Sequence, residues 1–135
     1  MSLSLVWKGN LHFTSGPDGP PIELESSAPH VPSPMQMLAY AVMGCMAMDV
    51  VHILQKGRHD LQKLAVSFTG ERATDVPKRY TAMHLHFDVT GSVPHEAVVR
   101  ALELSHQKYC SVSNSLREDI RFTTSATVIA PAAEA

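Results

Sequence analysis

The amino-acid sequence predicts an α+β domain with the element order βββ-α-ββ-α-α-β over residues 1–135, built around a long buried central helix. Three observations carry this. Residues 33–57 are almost continuously apolar and carry helix signals at both ends. Period-two runs flank them on both sides. No internal repeat or linker divides the chain, and 135 residues suffice to bury a sizeable core.

The long helix is marked by Ser33 as N-cap, Pro34 at the first helical position and Gln36 three residues after the cap. This is a capping box with a proline whose missing N–H is not needed there. Lys56 lies in the last turn, and Gly57 suits the left-handed position that ends a helix. Between these ends the polar residues are Gln36, Asp49 and His52, so the helix is expected to be buried on most sides. Upstream, Leu3, Leu5 and Trp7 alternate with polar or smaller residues as a first strand. Leu11–Thr14 follows Lys8-Gly9-Asn10 as a second. Ile22–Ser26 follows the turn residues 15–21 as a third, and a proline-containing loop over 28–32 leads to the helix.

Downstream, Leu64, Val66 and Phe68 alternate toward Arg72 as a strand, with Arg58-His59-Asp60 as the connector before it. Asp75–Lys78 is a turn. In the next strand Thr81, Met83, Leu85, Phe87 and Val89 face one way, and Ala82, His84, His86, Asp88 and Thr90 the other. Residues 94–108 read as a second helix with Val98, Ala101, Leu102 and Ser105 on its buried face. Ser113 is placed to cap a short third helix through Glu118. Phe122–Ile129 is a last strand, followed by a frayed tail over 130–135.

Composition excludes several function classes. Net charge is −2 and pI about 6.4, which argues against a nucleic-acid face or a basic membrane-binding patch. Residues 1–10 lack the pattern of a signal peptide. The run 34–54 is long enough to span a bilayer, but Asp49 and His52 and the absence of a charged flank pattern argue for a core helix instead. With two cysteines, no CxxC and an expected cytoplasmic setting, a structural disulfide is not the default. A catalytic or transient redox role is more plausible than it would be in a secreted chain.

Those cysteines are the candidates for chemistry, beside the plainer reading that Gly44–Cys45 is small-residue packing and a lone buried cysteine is inert. Cys45 sits beside Gly44 in the middle of the long helix, where glycine costs about 1 kcal/mol relative to alanine. Glycine there admits close approach of another backbone or ligand. Cys110 lies in Lys108-Tyr109-Cys110-Ser111-Val112, at a break between helices. With Ser33-Pro34-Met35, Gly44-Cys45, Asp49-Val50-Val51, Ile53-Leu54, Arg100-Ala101 and Leu104-Ser105, this pattern resembles the OsmC/Ohr family, most closely its redox-protein branch. The resemblance covers nearly the whole chain. It implies an intertwined homodimer with the long helices at its centre and active sites at the subunit interface. It also implies thiol-dependent reduction of organic hydroperoxides, or of small disulfides, as part of a stress response. Cys45 would be the peroxidatic cysteine and Cys110 the resolving one. A thiolate opens the O–O bond and becomes a sulfenic acid, a second thiol condenses with it, and an external thiol or dithiol resets the pair. No metal or organic cofactor is required.

The chain departs from the peroxidase branch in two places. Met35 and Gln36 stand where that branch carries an acidic residue after the helix-opening proline, and residues 1–30 contain no arginine. Gln36, Asp49, His52, Arg58 and Lys108 are therefore the supporting candidates around the thiols. Two other readings follow from the same residues. One is a non-catalytic binder of small hydrophobic ligands on the same fold, with Met35, Met37, Met43, Met46 and Met48 lining the pocket. The other is a metal site from Cys45, Asp49 and His52, or from the His84-Leu85-His86 pattern. For the latter, a solvated outer strand face is the plainer reading. A helix apolar on nearly every side leads us to expect an obligate homodimer burying more than about 2,000 Å².

Overall fold

The computed structural model describes residues 1–26 and 28–131. The expected frayed tail therefore lies mostly outside the described residues. The chain, which reads from sequence as a single domain, divides into two compact units, Met1–Tyr40 and Ala41–Ala135.

The first unit holds an antiparallel meander of β1 (Leu5–Gly9), β2 (His12–Ser15) and β3 (Glu23–Glu25). Trp7 pairs with Phe13 and Phe13 with Leu24. Asn10 takes a positive φ of 46° in the first turn, and its carbonyl accepts the Trp7 indole N–H at 2.8 Å. The first turns of α1 (Pro34–Lys56) also belong to this unit. The capping box forms as the sequence requires. The Ser33 N–H donates to Gln36 Oε1 at 3.0 Å, and the Gln36 N–H donates to Ser33 Oγ at 3.2 Å.

The C-terminal end of α1 departs from expectation. Gly57 is not the left-handed residue, because its N–H still makes the helical bond to Ile53 C=O at 3.0 Å. Arg58 takes that conformation, with φ 60°. The Arg58 N–H donates to Gln55 C=O and the His59 N–H to Leu54 C=O, both at 3.0 Å. This pair of bonds is the Schellman arrangement with Arg58 at C′.

In the second unit, β4 (Asp60–Arg72), β5 (Tyr80–Ser92) and β6 (Arg121–Ile129) form a sheet in that order. β4 and β5 are antiparallel, and β5 and β6 are parallel. β4 starts earlier than its hydrophobic alternation shows, because Asp60 already pairs with Ser92. At that edge Gly91 has φ 150°, and a β-carbon there would collide with the Asp60 carbonyl, so only glycine fits. The period-two reading of β5 holds from Met83 to Val89, with Met83, Leu85, Phe87 and Val89 buried; at the strand's start the pairing skips Thr81, and Ala82 is buried while Thr81 is only half-buried. From α1, Val42, Met46, Val50 and Leu54 recur every fourth residue and are also buried. Val98, Ala101 and Leu102 of α2 (His95–Leu104) complete the core. A single chain buries this stripe of α1 and Ala39, while Tyr40 and Met48 remain 60% and 74% exposed.

The second helix keeps α geometry only to Leu104. Ser105–Tyr109 continue as a π-helical turn, which delivers Cys110. The expected third helix over 113–118 is replaced by one 3-10 turn, Ser113–Ser115, after which Leu116 is extended. The Cys110 C=O accepts the Asn114 N–H at 3.1 Å, and polar side chains add further bonds to it and to Ser111 C=O. Ser113 Oγ and Asn114 Nδ2 donate to Cys110 C=O at 3.4 and 2.8 Å, and Ser115 Oγ donates to Ser111 C=O at 2.7 Å.

Because a side chain in left-handed geometry costs about 1–2 kcal/mol relative to glycine, Arg58→Gly is expected to stabilise the chain by about 1 kcal/mol. Urea unfolding should show a higher midpoint at unchanged m-value, and an unchanged or lower midpoint would contradict the Schellman assignment.

Candidate active site

The middle of α1 presents Cys45 and, one turn later on the same side, Asp49. The π-helical turn brings Cys110 to meet them. Cys45 Sγ, Cys110 Sγ and a carboxylate oxygen of Asp49 all lie within 4.8 Å of one another. Both cysteines are free thiols; Cys45 is half-buried, and Cys110 is fully buried at 0% exposure.

Ser105 ties these parts together. It is the one fully buried polar residue among the described residues. Its hydroxyl donates to Asp49 Oδ2 at 2.8 Å, and its carbonyl accepts the Cys110 N–H at 2.7 Å. Sequence reasoning placed Ser105 on the buried face of the second helix but gave it no part in the site. The signal available was a hydroxyl at a helical core position, where an apolar residue is the norm.

Burial pushes the Cys110 thiol above its usual range. The Ser113 N–H, 3.3 Å from Cys110 Sγ, opposes the shift, and the neighbouring Cys45 adds to it. At neutral pH Cys110 is therefore a protonated, shielded thiol, whereas Cys45 is the more accessible of the two.

The other candidate residues have different settings. Gln36 is engaged in the capping box. His52 is exposed and lines a shallow surface groove of about 470 Å³ with Gly44, Ala47, Met48, Val51 and Gln55. It lies about 10.5 Å along the helix axis from Cys45, and the cluster of Cys45, Asp49 and Cys110 does not include it. Arg58 is exposed at the helix end. Lys108 is exposed, with Nζ 5.5 Å from the centre of the Tyr109 ring. The histidine pattern on β5 is a cross-strand ladder. His84 bonds Thr123 Oγ1 at 2.7 Å and Ser125 Oγ at 2.9 Å. His86 bonds Ser125 Oγ at 2.6 Å and, through Nε2, Asp88 Oδ1 and Thr127 Oγ1, both at 3.2 Å. Its four ring nitrogens are thus occupied within the sheet, as expected of a structural face rather than a metal site.

Four residues before Cys110, His106 stacks on Phe122 with ring centroids 4.3 Å apart and planes 8° off parallel. Its Nδ1 is buried without a hydrogen-bond partner, and burial lowers the ring's pKa below the usual histidine value.

Two cysteines converging on the middle of a core helix define a thiol-pair protein on an α+β scaffold. The OsmC-like protein family matches residues 27–125, and the chain belongs to it. It is 45% identical over 106 residues to Protein YhfA of Escherichia coli K12, a match covering 78% of this chain and 79% of YhfA. A hypothetical protein from Aquifex aeolicus superposes with a TM-score of 0.88 at 25% identity, covering 97% of each chain. The fold is also that of an organic hydroperoxide resistance protein OsmC from Legionella pneumophila. That pair has a TM-score of 0.74 at 17% identity, covering 95% of this chain and 98% of the other. The α+β, OsmC-like fold expected from the sequence is thereby established.

The lowered pKa of His106 has a defined consequence for stability. The unfolded chain takes up a proton near pH 6.5, and the folded chain only at lower pH, so the unfolded state binds more protons in between. Stability is expected to fall as pH drops through 6.5 toward the folded pKa. His106→Phe keeps the stack on Phe122 and removes the titrating group, so it should flatten this fall. Thermal unfolding of both proteins from pH 7.5 to 5 checks it; parallel curves would assign the acid sensitivity to another group.

Proposed function

We propose that this protein is a cysteine-dependent peroxidase that reduces organic hydroperoxides through Cys45 and Cys110. One observation carries the reading: two sulfurs 65 positions apart in sequence lie within 4.8 Å of each other, one accessible and one shielded. The Cys45 thiolate attacks one peroxide oxygen, the O–O bond breaks, and the alcohol leaves after taking up a proton. Cys45 is left as a sulfenic acid. The Cys110 thiol then displaces the sulfenic oxygen as water and forms the Cys45–Cys110 disulfide. A dithiol reductant restores two thiols by exchange. Each step is closed by the thiols, the peroxide and the reductant, so this reading needs no metal or organic cofactor. The naming of the Legionella protein as an organic hydroperoxide resistance protein supports the substrate class. We place the protein in the cytoplasm, where the reductant pool keeps such thiols reduced.

The test is quenched mass spectrometry after an equimolar organic hydroperoxide. Wild type is expected to lose both thiols together as the disulfide, Cys110→Ser to accumulate a Cys45 sulfenic acid, and Cys45→Ser to leave Cys110 unreacted. Because the Cys110 pKa is raised, its thiolate fraction grows with pH up to and beyond the usual thiol range. The condensation step should therefore accelerate from pH 6 to 9, with sulfenic acid lingering at the acidic end. Unmodified thiols throughout would favour the ligand-binding alternative.

We further propose that the working form is a homodimer paired through α1. The support is the face a single chain leaves bare. Met48 is exposed, and a β-carbon at Gly44 would meet nothing within 4 Å. A side chain at Gly44 starts into open space in a single chain, and Gly44→Leu improves helix propensity by up to about 1 kcal/mol. It is therefore expected to leave the fold intact while weakening the dimer and activity. Light scattering and turnover decide the matter: a fully dimeric, fully active Gly44→Leu would contradict pairing at this position.

A further inference from the structure

The cluster of Cys45, Asp49 and Cys110 has a second chemical use that peroxide reduction does not require. Two sulfurs and a carboxylate oxygen lie within 4.8 Å of one another. A tetrahedral zinc ion, with Zn–S about 2.3 Å and Zn–O about 2.0–2.2 Å, holds sulfurs about 3.8 Å apart and sulfur and oxygen about 3.5 Å apart. From separations of at most 4.8 Å, the donors reach that arrangement by closing no more than about 1.0–1.3 Å per pair. Cys45 and Asp49 are one helical turn apart on α1, and the π-helical turn supplies the third donor from another element. Cys110 thus takes the part that the sequence reading gave to His52.

The surroundings are those that a metal centre uses. The Ser105 hydroxyl holds the Asp49 carboxylate through Oδ2 at 2.8 Å, and the Ser113 N–H points at Cys110 Sγ at 3.3 Å. Hydrogen bonds of this kind orient ligands and tune them. The donor set, two thiolates and one carboxylate, selects thiophilic borderline cations over calcium or magnesium. Three protein donors leave a fourth position open to water or an external thiol.

We propose that the reduced protein binds one zinc-class divalent cation through Cys45, Asp49 and Cys110, and that oxidation of the cysteine pair releases it. Binding exchanges two thiol protons for the cation. Release consumes one hydroperoxide and two protons and yields the disulfide, the alcohol, water and the free ion. Binding stands independently of the peroxidase reading; release by hydroperoxide rests on it. The bound ion occupies both thiols, so it shields them and suppresses peroxide reduction until it is removed.

The experiment titrates the reduced, metal-free full chain with Zn²⁺ against a chromophoric chelator, and with Cd²⁺ for its sulfur-to-metal charge-transfer band. One ion per chain is expected, with Zn²⁺ slowing alkylation of both thiols in wild type. Ser105→Ala should weaken binding about 10–100-fold. Asp49→Asn should weaken it at least as much, and Cys45→Ser and Cys110→Ser more still. The proposal is overturned if wild type binds no better than the double Cys→Ser variant, or if Zn²⁺ leaves alkylation rates unchanged. Hydroperoxide added to the zinc-loaded chain should release the ion as the disulfide forms. Zinc binding without any disulfide would leave the metal site standing and remove the peroxidase reading. Disulfide formation in chelator, with no zinc binding in its absence, would do the reverse.

Discussion

The buried Ser105 is the constraint on which the site depends. It spends its hydroxyl on Asp49 and its carbonyl on the Cys110 N–H, and so fastens the end of the second helix to the middle of the first. A hydrogen bond to a charged partner contributes roughly 1.5–3 kcal/mol, and leaving the buried groups unsatisfied costs a similar amount. The extra residue of the π-helical turn is what lets one residue serve both partners. A regular α-helix would pair the Cys110 N–H with His106 C=O instead, but that carbonyl accepts from Asn114 Nδ2. The helical irregularity is therefore tied to the placement of a sulfur, in keeping with the occurrence of π-turns at functional sites.

The two thiols are asymmetric for reasons visible in their surroundings. Cys110 is enclosed by the turn that presents it, with the Ser113 N–H on its sulfur, and burial favours its neutral form. Cys45 sits on a half-buried face of α1. This asymmetry suits a sequence in which one thiol meets the substrate and the other waits for the intermediate. The same proximity that allows disulfide formation also places two soft donors and a carboxylate around one point. On the two proposals, redox chemistry and cation binding would compete for the same electron pairs, and the state of the thiols would decide which occurs.

Helix α1 shows how composition and burial diverge. Its residues are apolar on nearly all sides, yet one chain buries Ala39 and the stripe Val42, Met46, Val50 and Leu54 and leaves Tyr40 and Met48 exposed. Gly44, costly within a helix, faces open space in the single chain. Both observations fit a helix whose second face is completed by another copy.

The sequence by itself determined the elements governed by local chemistry: the capping box at Ser33 and Gln36, the buried face of β5, the element order up to the second helix, and the segments that bear the two cysteines. These depend on spacing and on side chains within a few residues of one another, so they are legible along the chain. Only the tertiary structure decided what depends on a distant partner. The expected third helix stops at one 3-10 turn: the Cys110 carbonyl keeps the Asn114 N–H, the Ser115 and Leu116 N–H groups turn to Val112 and Ser113 C=O, and serine and asparagine side chains add bonds to Cys110 and Ser111 C=O. The helical end moved the left-handed residue from Gly57 to Arg58, because the Gly57 N–H stayed within the helix. His52 shares the face of Cys45 in projection but is separated from it along the axis, while Cys110, far off in sequence, sits beside it. A helical wheel records angle and discards both rise and tertiary approach, so only the folded chain could substitute one residue for the other.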